Sequence, residues 1–442
     1  MTTYAASRAL VDGELASDVR LTAVGGRWEE IETNAPARGK DIRLPGIILP
    51  AAINAHSHAF HRALRGRTHE GGGTFWTWRE VMYEAAARLD PERYYRLARA
   101  TYAEMVAAGY SAVAEFHYVH LAPDGERYDD PNAMAKALIA AASDARIALT
   151  LIDVCYLRGG IDAGSHLELD PLQRRFSDGS VATFAARTAR LREESEGQAT
   201  FALAAHSVRA LTPGELRELA AVASELDSLV HVHASEQLAE VAACRELTGM
   251  SPIELLTESG LLTSRTSIVH GTHLSEGDIE LLANTGASVI FCPTTERDLA
   301  DGIGPAAALA AAGVPLAIGS DQHAVIDPFS ELQALEGHER LASHERGHFS
   351  PARLLDIATF GPCIGERASG LRRGAPADLI AIDDASARTA GATGAGIVMA
   401  ASAADVTDVV IRARHVVSEA RHELGDVGEL LSCALEELWQ AP

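Results

Sequence analysis

The stretch Ile47-Ile48-Leu49-Pro50-Ala51-Ala52-Ile53, followed at once by Asn54-Ala55-His56-Ser57-His58, decides the fold of this chain. Its apolar half predicts a buried strand, and side chains alternate along a strand, so His56 and His58 project from the same face. Two imidazoles at the end of one strand can bind a single cation, because neutral imidazole is a common metal ligand. A His-x-His pair alone is also typical of ordinary surface residues, so the interpretation depends on ligands at equivalent places downstream.

Seven further apolar runs of the same kind follow, separated by longer stretches with helical periodicity. The eight runs cover residues 47–54, 111–118, 148–154, 200–206, 228–234, 267–271, 287–293 and 314–321. Such runs are typical of parallel strands buried on both faces, and their alternation with helices indicates βα units. Two helices have clear start signals, Thr212 and Ser275, each with an acid three residues later. Eight units predict a (β/α)8 TIM-like barrel with its active groups at the C-terminal ends of the strands.

The two ends of the chain lack this alternation. Residues 1–46 are rich in turns, and the C-terminal part has strand-like runs at 377–382 and 408–412 before a helical pattern at 427–439. We therefore predict an α/β protein with two parts. The first is a small β-sandwich domain formed from residues 1–46 plus 370–442, and the second is the barrel over residues 47–369.

Charge, hydropathy and cysteine content narrow the class of protein. The chain has 442 residues and a formal net charge of −23, which disfavours nucleic acid and anionic membranes as partners. No apolar run approaches the roughly 20 residues of a membrane-spanning helix, and the N-terminus lacks the pattern of a signal peptide. The five cysteines never form a Cys-x-x-Cys pair, which argues against a disulfide framework or a thiolate zinc site. Cytoplasmic residence is the expectation.

Further polar residues stand where the later barrel strands end. They are His206 and Arg209 after the fourth strand, His231, His233 and Glu236 after the fifth, His270 and His273 after the sixth, and Asp321 after the eighth. The barrel brings these ends together at one mouth. Three histidines and one aspartate there would supply three nitrogens and one oxygen and leave a position for water, as in a catalytic metal site. The predicted ligands are His56, His58, His233 and Asp321.

The spacing of the residues after the fifth strand decides between rival ligands. His231 shares a strand face with His233 and stays a rival, but His233 alone makes a His-x-x-Glu spacing with Glu236 and is therefore preferred. We assign His273 to structure.

The expected cofactor is one divalent ion, with zinc favoured, although ferrous iron suits the same ligands. Such an ion would lower the pKa of a bound water from about 15.7 toward about 7. Glu236 could then take and return protons, and His270 could polarise or orient the water. We assign catalysis to Glu236, His270 and Asp321.

The order His-x-His, His-x-x-Glu, a further histidine and a late aspartate resembles the amidohydrolase superfamily. Members with two metals commonly bridge them through a carboxylated lysine at the fourth strand. This chain has only two lysines, Lys40 and Lys136, and neither lies at a strand end. A mononuclear site follows, and the branch with His-x-x-Glu is rich in deaminases, in which the glutamate carries a proton to the departing nitrogen.

A narrower resemblance, to the formimidoylglutamate deiminases, covers essentially the whole chain. It rests on the segments NAHSHAFHRAL at 54–64, TFWTWRE at 74–80 and EFHY at 115–118. In that family the metal ligands match the four residues chosen above, and the acid/base pair matches Glu236 and His270. Substrate contacts would fall on Arg79, Tyr118, His206, Arg209 and His61. His61 stands at a position where we expect glutamine in that family.

The resemblance implies hydrolysis of N-formimidoyl-L-glutamate to N-formyl-L-glutamate and ammonia, in histidine degradation. The two carboxylates of that substrate suit Arg79 and Arg209, because a guanidinium pairs with a carboxylate through two hydrogen bonds, and Tyr118 adds a hydroxyl. Trp76 and Trp78 could make the Arg79 loop a lid that excludes water.

Two other hypotheses stay open. The first is a related deaminase acting on another formimino, guanidino or heterocyclic substrate, although ring pockets favour aromatic stacking over two arginines. The second is a non-catalytic scaffold that kept the barrel, but such descendants tend to lose metal ligands, and here all are present. A homodimer is expected from a large barrel with an exposed β edge.

Overall fold

Two large sheets organise the chain, an eight-stranded barrel and a nine-stranded mixed sheet. The computed structural model describes residues 1–69, 75–162 and 164–440, and the side chains of Phe75 and Trp76 are not among the described ones. Within this part of the chain no helix is long and apolar enough to cross a membrane.

The N-terminal part is built from antiparallel and parallel strands that precede the barrel. They are β1 (Thr2–Val11), β2 (Glu14–Val24), β3 (Arg27–Glu32), β4 (Ile42–Arg43) and β5 (Ile47–Leu49). A two-residue turn, Asp12-Gly13, joins β1 to β2, and both residues have a positive φ (51° and 80°). Such turns match the twist of paired strands and favour Asp-Gly.

The barrel consists of eight parallel strands, each hydrogen-bonded to its neighbour in chain order. Its strands are β6 (Ala52–Ser57), β7 (Tyr110–His117), β8 (Ala148–Cys155), β11 (Thr200–Ser207), β12 (Val230–Ala234), β13 (Thr266–His270), β14 (Ser288–Phe291) and β15 (Leu316–Ile318). Between β8 and β11 the chain forms a separate hairpin of two short strands, β9 (Gly160–Asp162) and β10 (Ser165–Leu167). A parallel bridge between Ser57 and Asp321 joins the first strand to the last. This bridge closes the barrel at its C-terminal mouth.

The C-terminal strands complete the sheet that the N-terminus begins. They are β16 (Leu379–Ile382), β17 (Val406–Ile411), β18 (Arg414–Ser418) and β19 (Arg421–His422). The sheet runs in the order β19-β18-β17-β16-β5-β1-β2-β3, with β4 paired to β1. Trp28, which is 1% exposed, fills a separate small core between these strands and the segment around Leu371.

The apolar run at 47–53 forms two strands, so the prediction of a single strand over 47–54 is wrong. β5 pairs with β1 and β16 in the mixed sheet, whereas β6 pairs with β7 in the barrel. Pro50 stands between them and has no N–H to donate, so the ladder cannot continue through it. The domain division at residues 46 and 370 stays a prediction.

Helices surround the barrel and follow its strands. They are α1 (Phe75–Ala87), α2 (Pro91–Ala107), α3 (Ala133–Ala145), α4 (Val181–Glu194), α5 (Pro213–Glu225), α6 (Leu238–Thr248), α7 (Pro252–Glu258), α8 (Glu276–Thr285), α9 (Pro293–Asp298), α10 (Ala306–Ala311), α11 (Pro328–Ser343), α12 (Pro351–Ala358) and α13 (Val427–Gln440). Thr212 and Ser275 form the capping boxes expected from the sequence. The predicted (β/α)8 barrel with a small β domain from both chain ends is confirmed.

Candidate metal centre and active site

The C-terminal ends of the barrel strands surround a cavity of about 250 Å³, a size suited to a small molecule. Ten of the eleven site residues predicted from the sequence line it: His58, His61, Arg79, Tyr118, His206, Arg209, His233, Glu236, His270 and Asp321. The eleventh, His56, does not line the cavity and is fully buried.

The four predicted metal ligands converge on one point. Their ligand atoms, the imidazole nitrogens of three histidines and a carboxylate oxygen of Asp321, all lie within 4.8 Å of one another. His56 Nε2 is 3.0 Å from His233 Nε2, and Asp321 Oδ1 is 3.3 Å from His56 Nε2 and 3.4 Å from His58 Nε2. Residues from the first, fifth and last barrel strands therefore form one cluster.

Hydrogen bonds behind the cluster orient two of its imidazoles. His58 Nδ1 lies 3.0 Å from the carbonyl oxygen of Phe116, and His233 Nδ1 lies 3.0 Å from that of His206. A carbonyl can only accept, so each Nδ1 donates its hydrogen and each Nε2 keeps its lone pair toward the centre. Backbone carbonyls behind metal-binding histidines are the usual support of such a site.

The protonation of these imidazoles also suits a cation. Burial lowers the pKa of His56 and His233 well below the ordinary value, and it lowers that of His58 to about 3. All three rings are therefore neutral at pH 7, which is the form that binds metals. Three neutral imidazoles and one carboxylate fit a single divalent cation with an open position.

The barrel closure places Asp321 against the histidines. Its N–H donates to the carbonyl of His56 at 3.0 Å, and its carbonyl accepts from His58 N at 3.1 Å. Asp321 has a positive φ of 43°, a conformation that a non-glycine residue holds only where its surroundings impose it. The backbone pairing with β6 thus fixes the carboxylate at the metal centre.

Glu236 and His270 lie next to each other at the edge of the cluster. Glu236 Oε1 is 3.8 Å from His270 Nε2, and its Oε2 accepts from Arg209 Nη2 at 3.3 Å. His270 is 1% exposed and has a φ of 70°, a second unusual backbone conformation at this site. A ring nitrogen of His270 also lies within 4.8 Å of a carboxylate oxygen of Asp321, so the pair adjoins the cluster.

Carboxylates around His270 control its charge. Burial lowers its pKa, but Glu236, Glu296 and Asp321 outweigh burial and raise that pKa to about 10. Glu296 Oε1 lies 3.5 Å from His270 Nδ1 and also accepts from the N–H of Cys292 at 2.9 Å. The sequence interpretation missed Glu296, because no polar residue after the seventh strand was considered.

A second buried carboxylate that was missed supports the His-x-His strand. Glu115 accepts from Ser57 Oγ at 2.6 Å and from the N–H of Ala59 at 2.7 Å. Burial raises its pKa to about 8. The signal was present, because Glu115 opens the EFHY segment, but its partners depend on strand packing.

The residues predicted to contact substrate form one connected group, in which the Tyr118 and His206 ring centroids lie 5.6 Å apart. His61 Nε2 lies 3.0 Å from Tyr118 Oη, and the His61 ring packs 4.5 Å from that of His58. His206 stands between Tyr156 and the cluster, with ring centroids 4.5 Å from Tyr156 and 5.2 Å from His233. The structure brings these residues together at the same cavity.

The two predicted carboxylate-binding arginines also reach this cavity. Arg79, on α1, donates from Nε to Tyr83 Oη at 2.5 Å. Trp78 beside it is 8% exposed. The side chain of Trp76, half of the predicted lid, lies outside the described residues, as do residues 70–74 of the same loop.

The histidines left out of the predicted site have other partners. His231 Nε2 bonds to the carbonyl of Cys363 at 2.8 Å, and His273 Nε2 to that of Asp301 at 2.8 Å. A separate buried cluster, His117, His120 and Asp153, has ligand spacing too.

That second cluster suits a cation poorly. Arg187 donates to both carboxylate oxygens of Asp153 at 3.0 Å and lies 3.4 Å from His120 Nε2. The guanidinium already balances the carboxylate charge, and a metal would have to sit beside a fixed positive charge.

A barrel with three histidines and one aspartate at its mouth defines a metal-dependent hydrolase of the (β/α)8 class. The chain belongs to the amidohydrolase family, whose model matches residues 47–416. The expectation of a hydrolase acting on C–N bonds is thereby confirmed.

Individual relatives agree with that family. A formimidoylglutamate deiminase of Pseudomonas aeruginosa is 37% identical over 440 residues, 96% of this chain and 96% of that protein. A 5-methylthioadenosine/S-adenosylhomocysteine deaminase of Halobacterium salinarum is 29% identical over 79% of this chain and 76% of that protein. The crystal structure of an amidohydrolase from Brucella melitensis superposes with a TM-score of 0.92 over 99% of this chain and 100% of that chain, at 33% identity. The resemblance to formimidoylglutamate deiminases drawn from the sequence is confirmed at this identity.

Proposed function

We propose that this chain is a deiminase that hydrolyses N-formimidoyl-L-glutamate to N-formyl-L-glutamate and ammonia in histidine degradation. One cavity contains a candidate cation site and three arginines. Arg158 pairs with Glu215, and the presence of the other two, Arg79 and Arg209, beside the cation site is the observation that carries the proposal. The substrate has the matching groups, one hydrolysable formimino carbon and two carboxylates. The 37% identity to a formimidoylglutamate deiminase supports the same choice.

The cation that we propose for this site is zinc, although ferrous iron suits the same four residues. When bound, it supplies Lewis acidity and lowers the pKa of a water toward about 7. His56, His58, His233 and Asp321 would hold it. Asp321, with His270, would also orient the attacking water.

Glu236 is the proton carrier in this mechanism. A water adds its oxygen to the formimino carbon, and Glu236 accepts the proton that this water loses. The same carboxylic acid gives that proton to the terminal nitrogen, which becomes an amine. Glu236 then takes the second proton from the hydroxyl on carbon and passes it to this amine, the bond between nitrogen and carbon breaks, and ammonia leaves. The oxygen stays on carbon as the formyl group, and Glu236 returns to its ionised form.

The carboxylates of the substrate would be held away from the reacting carbon. Arg209 and Arg79 each present a planar fork that matches a carboxylate, and Tyr118 and His206 add hydrogen-bonding groups to the same wall. His61, paired with Tyr118, would set the position of that hydroxyl.

Ammonia release from a panel of compounds tests this proposal. We expect turnover of formimidoylglutamate, weaker turnover of formimidoylaspartate, and none of guanine or adenosine. Arg209→Gln should raise KM for formimidoylglutamate at least about tenfold, because it removes a charged hydrogen bond. Arg217→Gln, an exposed arginine of α5, is the matched control and should leave KM unchanged. Preferred turnover of adenosine or another ring compound would overturn the substrate assignment in favour of a ring deaminase.

The assembly and location of the protein stay predictions. We propose a cytoplasmic homodimer with no nucleic-acid or membrane partner. Size-exclusion chromatography with light scattering measures the assembly state, and a monomeric mass would contradict the dimer.

A further inference from the structure

A buried amide, Gln173, stands behind the wall of the cavity that carries Arg79. It opens the short 3-10 helix Gln173–Phe176, beyond the β9–β10 hairpin, and is 2% exposed. Its Nε2 lies 3.1 Å from Tyr83 Oη, 3.1 Å from Tyr156 Oη and 3.0 Å from the carbonyl oxygen of Gly159. One side chain therefore ties together α1, the end of β8 and the loop before the hairpin.

The Tyr83 side of this network leads directly to Arg79. Tyr83 stands one helical turn after Arg79, and its hydroxyl accepts from Arg79 Nε at 2.5 Å. The guanidinium carbon also lies 5.0 Å from the centre of the Tyr83 ring, within the range of a cation–π contact. Tyr83 thus fixes one edge of the guanidinium, and Gln173 fixes the hydroxyl of Tyr83.

The Tyr156 side leads to His206. The two rings lie 4.5 Å apart, and both residues line the cavity. Tyr156 is 6% exposed, so its hydroxyl needs a partner inside the protein, and Gln173 supplies one. Gln173 itself does not line the cavity, so any effect on substrate passes through its partners Tyr83, Tyr156 and Gly159, which do line it.

The surroundings leave the amide little freedom to move. Its Oε1 accepts from the N–H of Asp170 at 3.0 Å. At Gly159 a Cβ would lie 2.9 Å from Gln173 Oε1 and 2.3 Å from the carbonyl oxygen of Glu168, so the loop closes on the amide only because Gly159 has no side chain. A side chain held at both ends of its amide can act as a rigid support.

We propose that Gln173 is a positioning residue for carboxylate recognition, which sets Arg79 through Tyr83 and His206 through Tyr156. The inference rests on the proposed function, because it assigns these residues to a dicarboxylate substrate. It deepens that function because it attributes the positions of Arg79 and His206 to an amide that does not contact the substrate.

Kinetics of Gln173→Leu test the proposal, because leucine keeps the volume and removes the amide. We expect KM for formimidoylglutamate to rise about tenfold, the worth of one to two hydrogen bonds, and kcat to stay within about twofold. The dissociation constant of glutarate, measured by calorimetry on the metal-loaded protein, should rise by a similar factor. Tyr83→Phe should raise KM as well, and the double variant should add little to either single change, because both act on one network.

The matched control is Gln333→Leu. Gln333 also donates from its amide to two carbonyl oxygens, those of Val398 and Ala401, and none of these three residues lines the cavity. We expect it to lower the melting temperature without changing KM or glutarate binding.

Several outcomes would overturn the role of Gln173. They are an unchanged KM and glutarate affinity in Gln173→Leu, additive effects in the double variant, or a loss of kcat alone. If Gln173→Leu does not fold, Tyr83→Phe decides the matter, and an unchanged KM there rejects the network. Failure of the unaltered protein to turn over formimidoylglutamate would sink the proposed function instead, while glutarate binding would still test Gln173. An unaltered protein that does not bind glutarate would reject carboxylate recognition by this wall.

Discussion

Glu236, the proposed proton carrier, and Arg209, the arginine proposed to bind the substrate, contact each other directly, and Glu240 acts on both. Arg209 Nη2 donates to Glu236 Oε2 at 3.3 Å. Burial lowers the pKa of Arg209, but the carboxylates of Glu240 and Glu236 outweigh it and raise that pKa above its ordinary value. Glu240 also accepts from the N–H groups of Ser235 and Glu236, at 3.3 Å each, and so fixes the turn that aims Glu236. A substrate carboxylate at Arg209 would compete with Glu236 and release it toward the water.

At this scale, Glu236→Gln separates proton transfer from metal binding. The amide keeps the size of the side chain but cannot accept a proton, so kcat for formimidoylglutamate should fall by about 10²- to 10⁴-fold. Metal content by atomic absorption should not change, because Glu236 is not among the four candidate ligands. Glu280→Gln, an exposed residue of α8, should keep full activity. A Glu236→Gln variant within tenfold of the original rate would remove the carrier role.

The choice between His231 and His233 as the metal ligand shows how much of the site can be predicted from individual residues of the sequence. Alternation along β12 places both on one face, and the spacing to Glu236 favours His233. The structure shows that the two side chains lie at different levels along the barrel axis. His233 joins the cluster at the mouth, whereas His231 Nε2 bonds to the carbonyl oxygen of Cys363 at 2.8 Å. Spacing along the sequence could rank the two, but the layer of a side chain inside a barrel is a property of the closed sheet.

The junction between β6 and the end of β15 is the element that assembles the candidate site. Gly319 passes against the backbone of His56, where an added Cβ would lie 2.7 Å from the His56 carbonyl oxygen and 2.8 Å from its nitrogen. The carbonyl oxygen and the nitrogen are backbone atoms, which cannot rotate away. A glycine is therefore required for Asp321 to reach the histidines.

Gly319→Ala should consequently separate the two strands and loosen the metal centre. We expect a loss of about 1–3 kcal/mol in the free energy of unfolding, as for overpacked interiors, together with weaker metal binding. Gly337→Ala is the control, since that glycine lies in α11 with open space around it and alanine favours helix by about 0.5–1 kcal/mol. Urea denaturation and metal titration measure the two effects. A Gly319→Ala variant with unchanged metal affinity would show that the junction does not set the ligand geometry.

α4 stabilises the barrel through one buried arginine. Arg187 donates to Asp153 on β8 and to Asp178 before the helix, and the imidazoles of His117 and His120 complete the cluster. Burial alone would raise the pKa of Asp153, but Arg187 outweighs it and, with the histidines, lowers that pKa to about 2. Because this value lies below the unfolded one of about 3.9, the ionised carboxylate contributes stability above pH 4, which is lost as the pH falls toward 2.

Arg187→Met should reverse the sign of that dependence. Without the guanidinium, the Asp153 carboxylate is a buried charge with an elevated pKa, so the variant should lose stability as the pH rises above 4. We expect a cost of about 3–5 kcal/mol at pH 7. Arg190→Met, which removes an exposed pair with Glu194 on the same helix, should cost less than about 1 kcal/mol. Urea denaturation between pH 3 and 7 provides the measurement, and parallel pH profiles for Arg187→Met and the original protein would contradict the expectation.

Two features of the strands and helices could not be predicted from the sequence pattern. The run at 47–53 reads as one strand, because apolar content does not reveal that Pro50 passes the chain from one sheet to another. Glu296 reaches His270 from α9, one strand further around the barrel. Such contacts depend on how a helix packs across its neighbour, whereas the strand periods and the capping boxes at Thr212 and Ser275 are local and were predicted correctly.

At the scale of the whole molecule, the arginines that line the cavity have the opposite sign to the net charge of the chain. The chain carries −23 overall, but Arg79, Arg158 and Arg209 line the cavity. The carboxylates of Glu236, Glu240 and Asp321 line it as well, so an anionic substrate would be repelled at long range and attracted only by direct contact with the arginines. Salt should weaken the long-range repulsion first, because screening grows with distance. No strand of the sheet built from both chain ends lines this cavity, and the chain passes from that sheet to the barrel between β5 and β6.

Removal of the cation should lower the stability of the whole barrel, because its ligands come from strands at both sides of the closure. A ligand at about 1,000 times its dissociation constant stabilises the native state by about 4 kcal/mol. For a chain of this length that is on the order of 5 °C in melting temperature. We expect dialysis against a strong chelator to cause such a decrease with little change in the circular dichroism spectrum, and added zinc to reverse it. His233→Asn should melt at the lower temperature with or without chelator. His415→Asn, which removes a histidine paired with Asp408 in the mixed sheet, should keep the full chelator response. A chelated protein that melts at the original temperature would show that no cation joins the ends of the barrel.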